Sequence, residues 1–255
     1  MQADWIVPDW PAPASVRAVC TTRIGGVSLP PYDSLNLGDH VGDAAAAVAH
    51  NRGVLQAAID ARPVFLQQVH GSAVAWLGAD TRDGDRADAC IATRPGLACT
   101  IMVADCLPVL FTDKAGKAVA AAHAGWRGLA GGVLENACRA LWDAIGVPQA
   151  GAAVETLAWL GPCIGPKAFE VGDEVRQAFV LRHPQAATMF KPHAQGKWLA
   201  DLQGLARLRL SALGIAGVHG NDGSDGWCSV LNSSRFFSHR RDRVSGRFAA
   251  CIWLQ

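Results

Sequence analysis

Leu97-Ala98-Cys99-Thr100-Ile101-Met102-Val103-Ala104-Asp105-Cys106-Leu107-Pro108-Val109-Leu110 is the stretch on which the fold turns. Leu97 to Val103 is uncharged and apolar, which predicts a buried strand, and it runs straight into a turn carrying a carboxylate and a thiol. Two other short apolar runs end in the same manner. Val64 to Val69 leads into His70-Gly71, and Ala118 to Ala122 leads into His123-Ala124-Gly125-Trp126-Arg127-Gly128. Three strand ends that each deliver one soft ligand to a common rim make a pocket rather than a staple.

Working outward, residues 63–122 read as short strands separated by turns, and 16–22, 157–160 and 247–254 as further strands. Helices are expected over 43–59 with Asp43 as N-cap, over 128–145, over 173–181 and over 200–213. Gly25 to Pro31 is a loop dictated by glycine and proline. The sequence has no internal repeat, low-complexity segment or linker, so residues 1–255 are expected to form one α+β domain with mixed sheets and helices packed outside them.

The 255-residue chain is long enough for a full core; 50% of it is hydrophobic and 18% charged, which excludes a disordered chain. A formal net charge of +1 gives no global attraction to nucleic acid or to an acidic membrane. Apolar stretches fall well short of a membrane span, and the N-terminal residues lack a basic segment followed by an apolar one. The cytoplasm is therefore the expected compartment. There the eight cysteines are expected reduced, most of them as small hydrophobes in apolar runs, and the absence of any Cys-x-x-Cys pair excludes a zinc ribbon.

Two imidazoles and a thiolate, from His70, Cys106 and His123, match a zinc site with three protein ligands and a coordination position left open. Alone, His70 reads more readily as a buried histidine satisfied by its own turn, and Cys106 as packing. The polarity around them shifts the balance. Asp105 directly follows an apolar run, where a charge is expensive unless exposed or paired. Asp105 is the candidate for proton transfer or for orienting a ligand. Arg127, followed by a glycine-rich helix start, and Arg23, Arg240 and Arg241 suggest a phosphate or carboxylate clamp, or else solvated surface charges. Cys163, between two glycine-proline pairs, reads first as a small residue at a crowded strand end. His40, His50, His183 and His193 read as surface histidines, and nothing in the spacing of His219 and His239 demands metal.

With these residues in view, the chain resembles the YfiH or laccase-domain family, also called the multicopper polyphenol oxidase or peptidoglycan editing factor family. The blocks that carry the resemblance are Tyr32 to Gly38, Gln68 to Gly71, Ala104 to Leu110, His123 to Gly128, Gly161 to Pro166, Phe169 to Gly172 and Phe236 to Asp242. Residues 219–227 depart from the short glycine-rich link usual there. The resemblance implies one zinc ion on His70, Cys106 and His123, and a layered α/β/β/α sandwich similar to the CNF-type fold of deamidating toxin domains. It also implies phosphorolysis of purine nucleosides (adenosine, inosine, guanosine, methylthioadenosine) and deamination of adenosine. Catalytic candidates are then Asp105, Cys106, His123 and Arg127. Candidates for substrate contact are Arg23, Asn36, Gln68, Arg240 and Arg241. The editing-factor name implies the alternative of an amide hydrolase, zinc- or cysteine-dependent, acting on a nucleotide-linked peptidoglycan precursor (UDP-MurNAc-amino acid). A laccase-like polyphenol oxidase is a further alternative. Its multicopper centre relies on His-x-His pairs, which are absent among these eight histidines, although copper can occupy the same ligands adventitiously. Nucleosides and phosphate are the expected partners, and the oligomeric state, monomer or homodimer, stays open.

Overall fold

The computed structural model describes residues 4–148, 153 and 155–255. The first three residues, part of the segment read for a leader, lie outside this range. The expected α+β architecture of layered mixed sheets is found, in the order helix, sheet, sheet, helices.

One sheet has four strands: β1 (Val16–Cys20), β13 (Phe248–Leu254), β5 (Leu97–Val103) and β2 (Arg62–Phe65), in that spatial order. The other has six. Its order is β12 (Gly217–Gly220), β8 (Thr156–Leu160), β6 (Leu107–Asp113), β7 (Val119–Ala124), β4 (Ala89–Ala92) and β3 (Val74–Trp76). Side-chain alternation along each strand divides the core. On β13, Phe248, Ala250, Ile252 and Leu254 point between the sheets, meeting Leu110, Val119, Ala121 and Trp159 of the six-stranded sheet. Ala249, Cys251 and Trp253 point the other way, toward Leu55 and Ile59 of helix α1 (Ala45–Ile59). The outer face of the six-stranded sheet, including Val109, Phe111, Ala120 and Ala122, is covered by α3 (Val133–Ile145), α4 (Asp173–Val180) and α5 (Leu202–Ala212). Strands buried on both faces read as unbroken apolar runs, which is why β5, β6 and β13 were legible. Each fully buried Phe or Leu in these layers contributes roughly 1.5–3 kcal/mol.

Several boundaries differ from expectation. Helix α1 starts two residues beyond Asp43, with Ala44 as N-cap, because the Asp43 carboxylate is engaged by the Ala44 amide and the Asn36 side chain. The helix expected over 128–145 breaks at Gly132, whose φ of 95° is left-handed, leaving α2 (Trp126–Gly131) before α3. Strand β2 stops at Phe65 rather than Val69. The Gln68 amide there takes the place of a backbone pair, donating from Nε2 to Met102 O at 2.8 Å and accepting from Met102 N at 2.9 Å. A small antiparallel sheet of β9 (Glu170–Val171), β10 (Phe190–Pro192) and β11 (Trp198–Ala200) was not anticipated. Among the described residues no helix is long and apolar enough to cross a membrane.

Candidate metal centre and its cavity

His70, Cys106 and His123 come together: their ligand atoms all lie within 4.8 Å of one another. His70 follows the end of β2 in a left-handed turn (φ 59°), and Cys106 sits in the β5–β6 turn after Asp105 (φ 90°). His123 lies within β7 rather than after it. A Cβ at Gly125 would stand 2.8 Å from Cys106 Sγ and 2.9 Å from His70 Cδ2, so the cluster requires glycine there.

A buried carboxylate that sequence reading missed holds the arrangement. Asp88 Oδ1 accepts from His70 N and His123 Nδ1, both at 2.8 Å, and Oδ2 from Gly71 N at 2.7 Å and Val69 N at 3.1 Å. Burial alone would raise Asp88. Hydrogen bonds from His123 and from the Gly71 and Val69 amides instead hold it below the ordinary carboxylate value. Its signal was present: a charge in Ala87-Asp88-Ala89-Cys90-Ile91, where an unpaired carboxylate is prohibitive.

The donor set fits a divalent metal. With zinc about 2.3 Å from sulfur and about 2.0 Å from nitrogen, a tetrahedral site spaces the two ligands at about 3.5 Å. Cys106 Sγ and His70 Nε2 stand 3.7 Å apart. The His123 ring meets that of His70 edge-on, centroids 4.8 Å apart, and the bond from Nδ1 to Asp88 turns Nε2 toward the cluster. Burial opposes ionisation of Cys106, but the charge of His123 and hydrogen bonds from His123 and His70 bring it down to about 6. Burial likewise opposes the His123 imidazolium, yet Cys106 and Asp88 raise it to about 9. The structure thus favours a thiolate, the form that binds metal.

The cluster opens on a cavity of about 290 Å³. Ile164, Phe169, Leu202 and Trp126 supply an apolar wall, and Arg127, Arg240, Arg243 and Arg247 a cationic one, with His40, His239 and Gln68 at the margins. Of the residues singled out in the sequence, Gln68, Asp105, Arg127 and Arg240 line this cavity. Both oxygens of Asp105 are already used, accepting from Ser229 Oγ and from Arg240 N at 2.6 Å each. Ser229 keeps this role despite the unusual 219–227 segment before it. Arg23, Asn36 and Arg241 stand outside the lining. Arg23 is bound to Asp33 and the Ser233 carbonyl. Arg241 ties the carbonyls of Ser229, Val230 and Phe236, and Asn36 is buried beneath Arg247. His40 is exposed, as expected of a surface histidine, and also lines the cavity, as do Arg243 and Arg247, which sequence reading did not single out. Cys163 is buried, as expected of a small residue at a crowded strand end.

Residues 17–255 match the family model described as multi-copper polyphenol oxidoreductase laccase. A Pseudomonas aeruginosa protein named purine nucleoside phosphorylase is 54% identical, the match covering 98% of each chain. The Escherichia coli protein named purine nucleoside phosphorylase YfiH is 50% identical, again over 98% of each. A Neisseria meningitidis protein of known crystal structure superposes with a TM-score of 0.90 at 49% identity, covering 99% of both chains. From matches of this extent, the chain belongs to the laccase-domain family that includes the YfiH proteins.

Proposed function

We propose that this chain is a zinc-dependent purine nucleoside phosphorylase acting on adenosine, inosine, guanosine and methylthioadenosine, with deamination of adenosine as a second activity. The observation that carries it is the meeting, in one cavity, of the His70, Cys106 and His123 cluster with several arginines and an apolar wall. The names borne by relatives that match 98% of the chain support the same reading.

Zinc bound by this set would supply a Lewis acid with an open position. His70 and His123 would present Nε2 to it, since Nε2 of His70 faces Cys106 and Nδ1 of His123 is engaged by Asp88. The wall of Phe169, Ile164, Leu202 and Trp126 suits the face of a purine. Arg127 and Arg240 line the cavity and donate to phosphate oxygens, Arg240 with the donors not used by its bond to the Glu170 carbonyl, while Arg23 and Arg241 stay in their structural bonds. In phosphorolysis a phosphate oxygen bonds to the ribose anomeric carbon. The glycosidic bond breaks with its electron pair going to the purine nitrogen, which takes up a proton. Asp105 acts as a brace, because both its oxygens already accept hydrogen bonds. Burial and then the Arg247 charge hold His40 low, and His40 and His239 both line the cavity.

One observation favours a second reading. Cys106, His123 and Asp88 are aligned as nucleophile, base and orienting carboxylate, the arrangement of a thiol amide hydrolase, for which a nucleotide-linked peptidoglycan precursor is the candidate substrate. Chelation separates the two, since a thiol route survives it and phosphorolysis does not. Copper on the same ligands would account for any oxidase activity. The test is protein of measured metal content incubated with inosine and phosphate. Hypoxanthine is expected in proportion to bound metal and only with phosphate present. Full zinc occupancy without phosphate-dependent hypoxanthine overturns the reading.

A further inference from the structure

The block Leu35-Asn36-Leu37-Gly38 is buried and forms no part of the cavity lining, yet it reaches the cavity through one side chain. Asn36 Oδ1 accepts the backbone N–H of Arg247 at 2.9 Å, and the Leu37 N–H donates to the Arg247 carbonyl at 3.0 Å. A Cβ at Gly38 would stand 2.8 Å from Arg247 Cγ, so the arginine stem lies in a groove that glycine keeps open. At its far end Nη1 donates to the carbonyls of Ser245 and Gly246, at 2.8 and 2.9 Å. Among the described residues no carboxylate forms an ion pair with this guanidinium. The charges of Cys106 and Asp105 reach it, and its own charge reaches His40. Arg243 lines the same cavity, and its side chain makes no hydrogen bond or ion pair among the described residues. Arg247 is partly buried and Arg243 exposed, and with no carboxylate among the described residues paired to either, their guanidinium groups leave this wall of the cavity positive and suited to an anion.

We propose that Arg247, together with Arg243, joins Arg127 and Arg240 in the oxyanion subsite of this cavity and takes inorganic phosphate, with Asn36 and Gly38 as its positioning residues. The assignment of phosphate rests on the phosphorolysis reading above. A guanidinium presents two parallel N–H donors to a tetrahedral dianion, which a lysine ammonium does not.

The test compares metal-loaded wild-type protein with Arg247→Gln, Arg247→Lys and Gly38→Ala. Inorganic phosphate is the probe in calorimetric titration, and inosine the second substrate in rate measurements. Arg247→Gln is expected to weaken phosphate binding and raise the phosphate KM by about 10–100-fold, while the inosine KM stays within about twofold. Arg247→Lys should recover part of the loss. Gly38→Ala retains every donor but displaces the stem, so it should move phosphate in the same direction and keeps the test decisive if the glutamine variant misfolds. Equal phosphate affinity in wild type and all three folded variants, or no phosphate binding by wild type, overturns the subsite. Phosphate binding abolished by Arg247→Gln in a protein that never cleaves nucleosides would sustain the subsite and remove the phosphorylase reading.

Discussion

The Asp88 carboxylate accepts from His123 Nδ1 at 2.8 Å and, through its other contacts, from the backbone amides flanking and including His70. One buried anion therefore fixes two of the three cluster ligands, by the ring of one and the turn of the other. Because a carboxylate only accepts, His123 carries its hydrogen on Nδ1, so the neutral ring that binds a metal presents its lone pair at Nε2.

Replacing Asp88 by Asn disturbs this in a specific way. The amide nitrogen can only donate, so either His123 is driven to the other tautomer or a backbone N–H of the His70 turn loses its acceptor. Zinc affinity is expected to fall about 10–100-fold. Competition with a chromophoric chelator checks this, and the absorption of a cobalt-substituted protein separates altered ligation from mere loss of stability. An unchanged zinc affinity would deny Asp88 the orienting role.

Gly125→Ala tests the packing of the same cluster. The added Cβ would lie 2.8 Å from Cys106 Sγ and 2.9 Å from His70 Cδ2, closer than carbon tolerates, and both atoms belong to ligands. Because the backbone at Gly125 (φ −63°, ψ 157°) is ordinary for alanine, the cost falls on the cluster rather than on the turn. Metal content per chain and nucleoside turnover should drop together, with the far-ultraviolet circular dichroism unchanged.

Cys106 is the one cysteine of eight that is only partly buried. In metal-free protein, iodoacetamide should label it ahead of the others, with a rate that rises through pH about 6. The lowered value means that thiolate is present above that pH and is lost as pH falls through it. Burial pushes Cys20, Cys99, Cys138, Cys163 and Cys251 upward instead. Added zinc should protect Cys106 by occupying the sulfur. Peptide mass spectrometry after labelling with and without chelator reads both effects, and labelling indifferent to zinc would count against a metal at this cluster.

These experiments fall on residues of unequal legibility. His70, Cys106 and His123 could be found because each stands at or near the end of an apolar strand, and local pattern reports strands buried on both faces. Asp88 was overlooked since its partners lie 17–35 positions away in the chain. Arg247 was overlooked because it precedes the last strand with no motif around it. What seats it, Asn36 and Gly38, is about two hundred residues distant. Arg23 and Arg241 looked like anion binders because an arginine beside glycine or another arginine looks the same in sequence whether it meets a ligand or a backbone carbonyl. The break at Gly132 was missed because the apolar row on either side of it keeps helical spacing.

Gln68 distinguishes substrate contact from architecture most sharply. It lines the cavity, which is where its expected role as a substrate-binding residue would put it, and its amide also pairs with both backbone groups of Met102. Gln68→Glu keeps the acceptor for Met102 N but sets a carboxylate oxygen against Met102 O, which can only accept. Gln68→Ala removes both bonds and leaves the N–H and C=O of Met102 without these partners, at about 1–3 kcal/mol for each buried group left unsatisfied. If the bridge is what Gln68 supplies, both variants melt several degrees lower, and zinc binds more weakly because the turn bearing His70 is no longer tied to β5. If contact with nucleoside is its main role, the KM for inosine rises while the melting temperature and zinc affinity hold. The two hydrogen bonds at 2.8 and 2.9 Å favour the first outcome, and thermal melts of the two variants beside their inosine KM decide it.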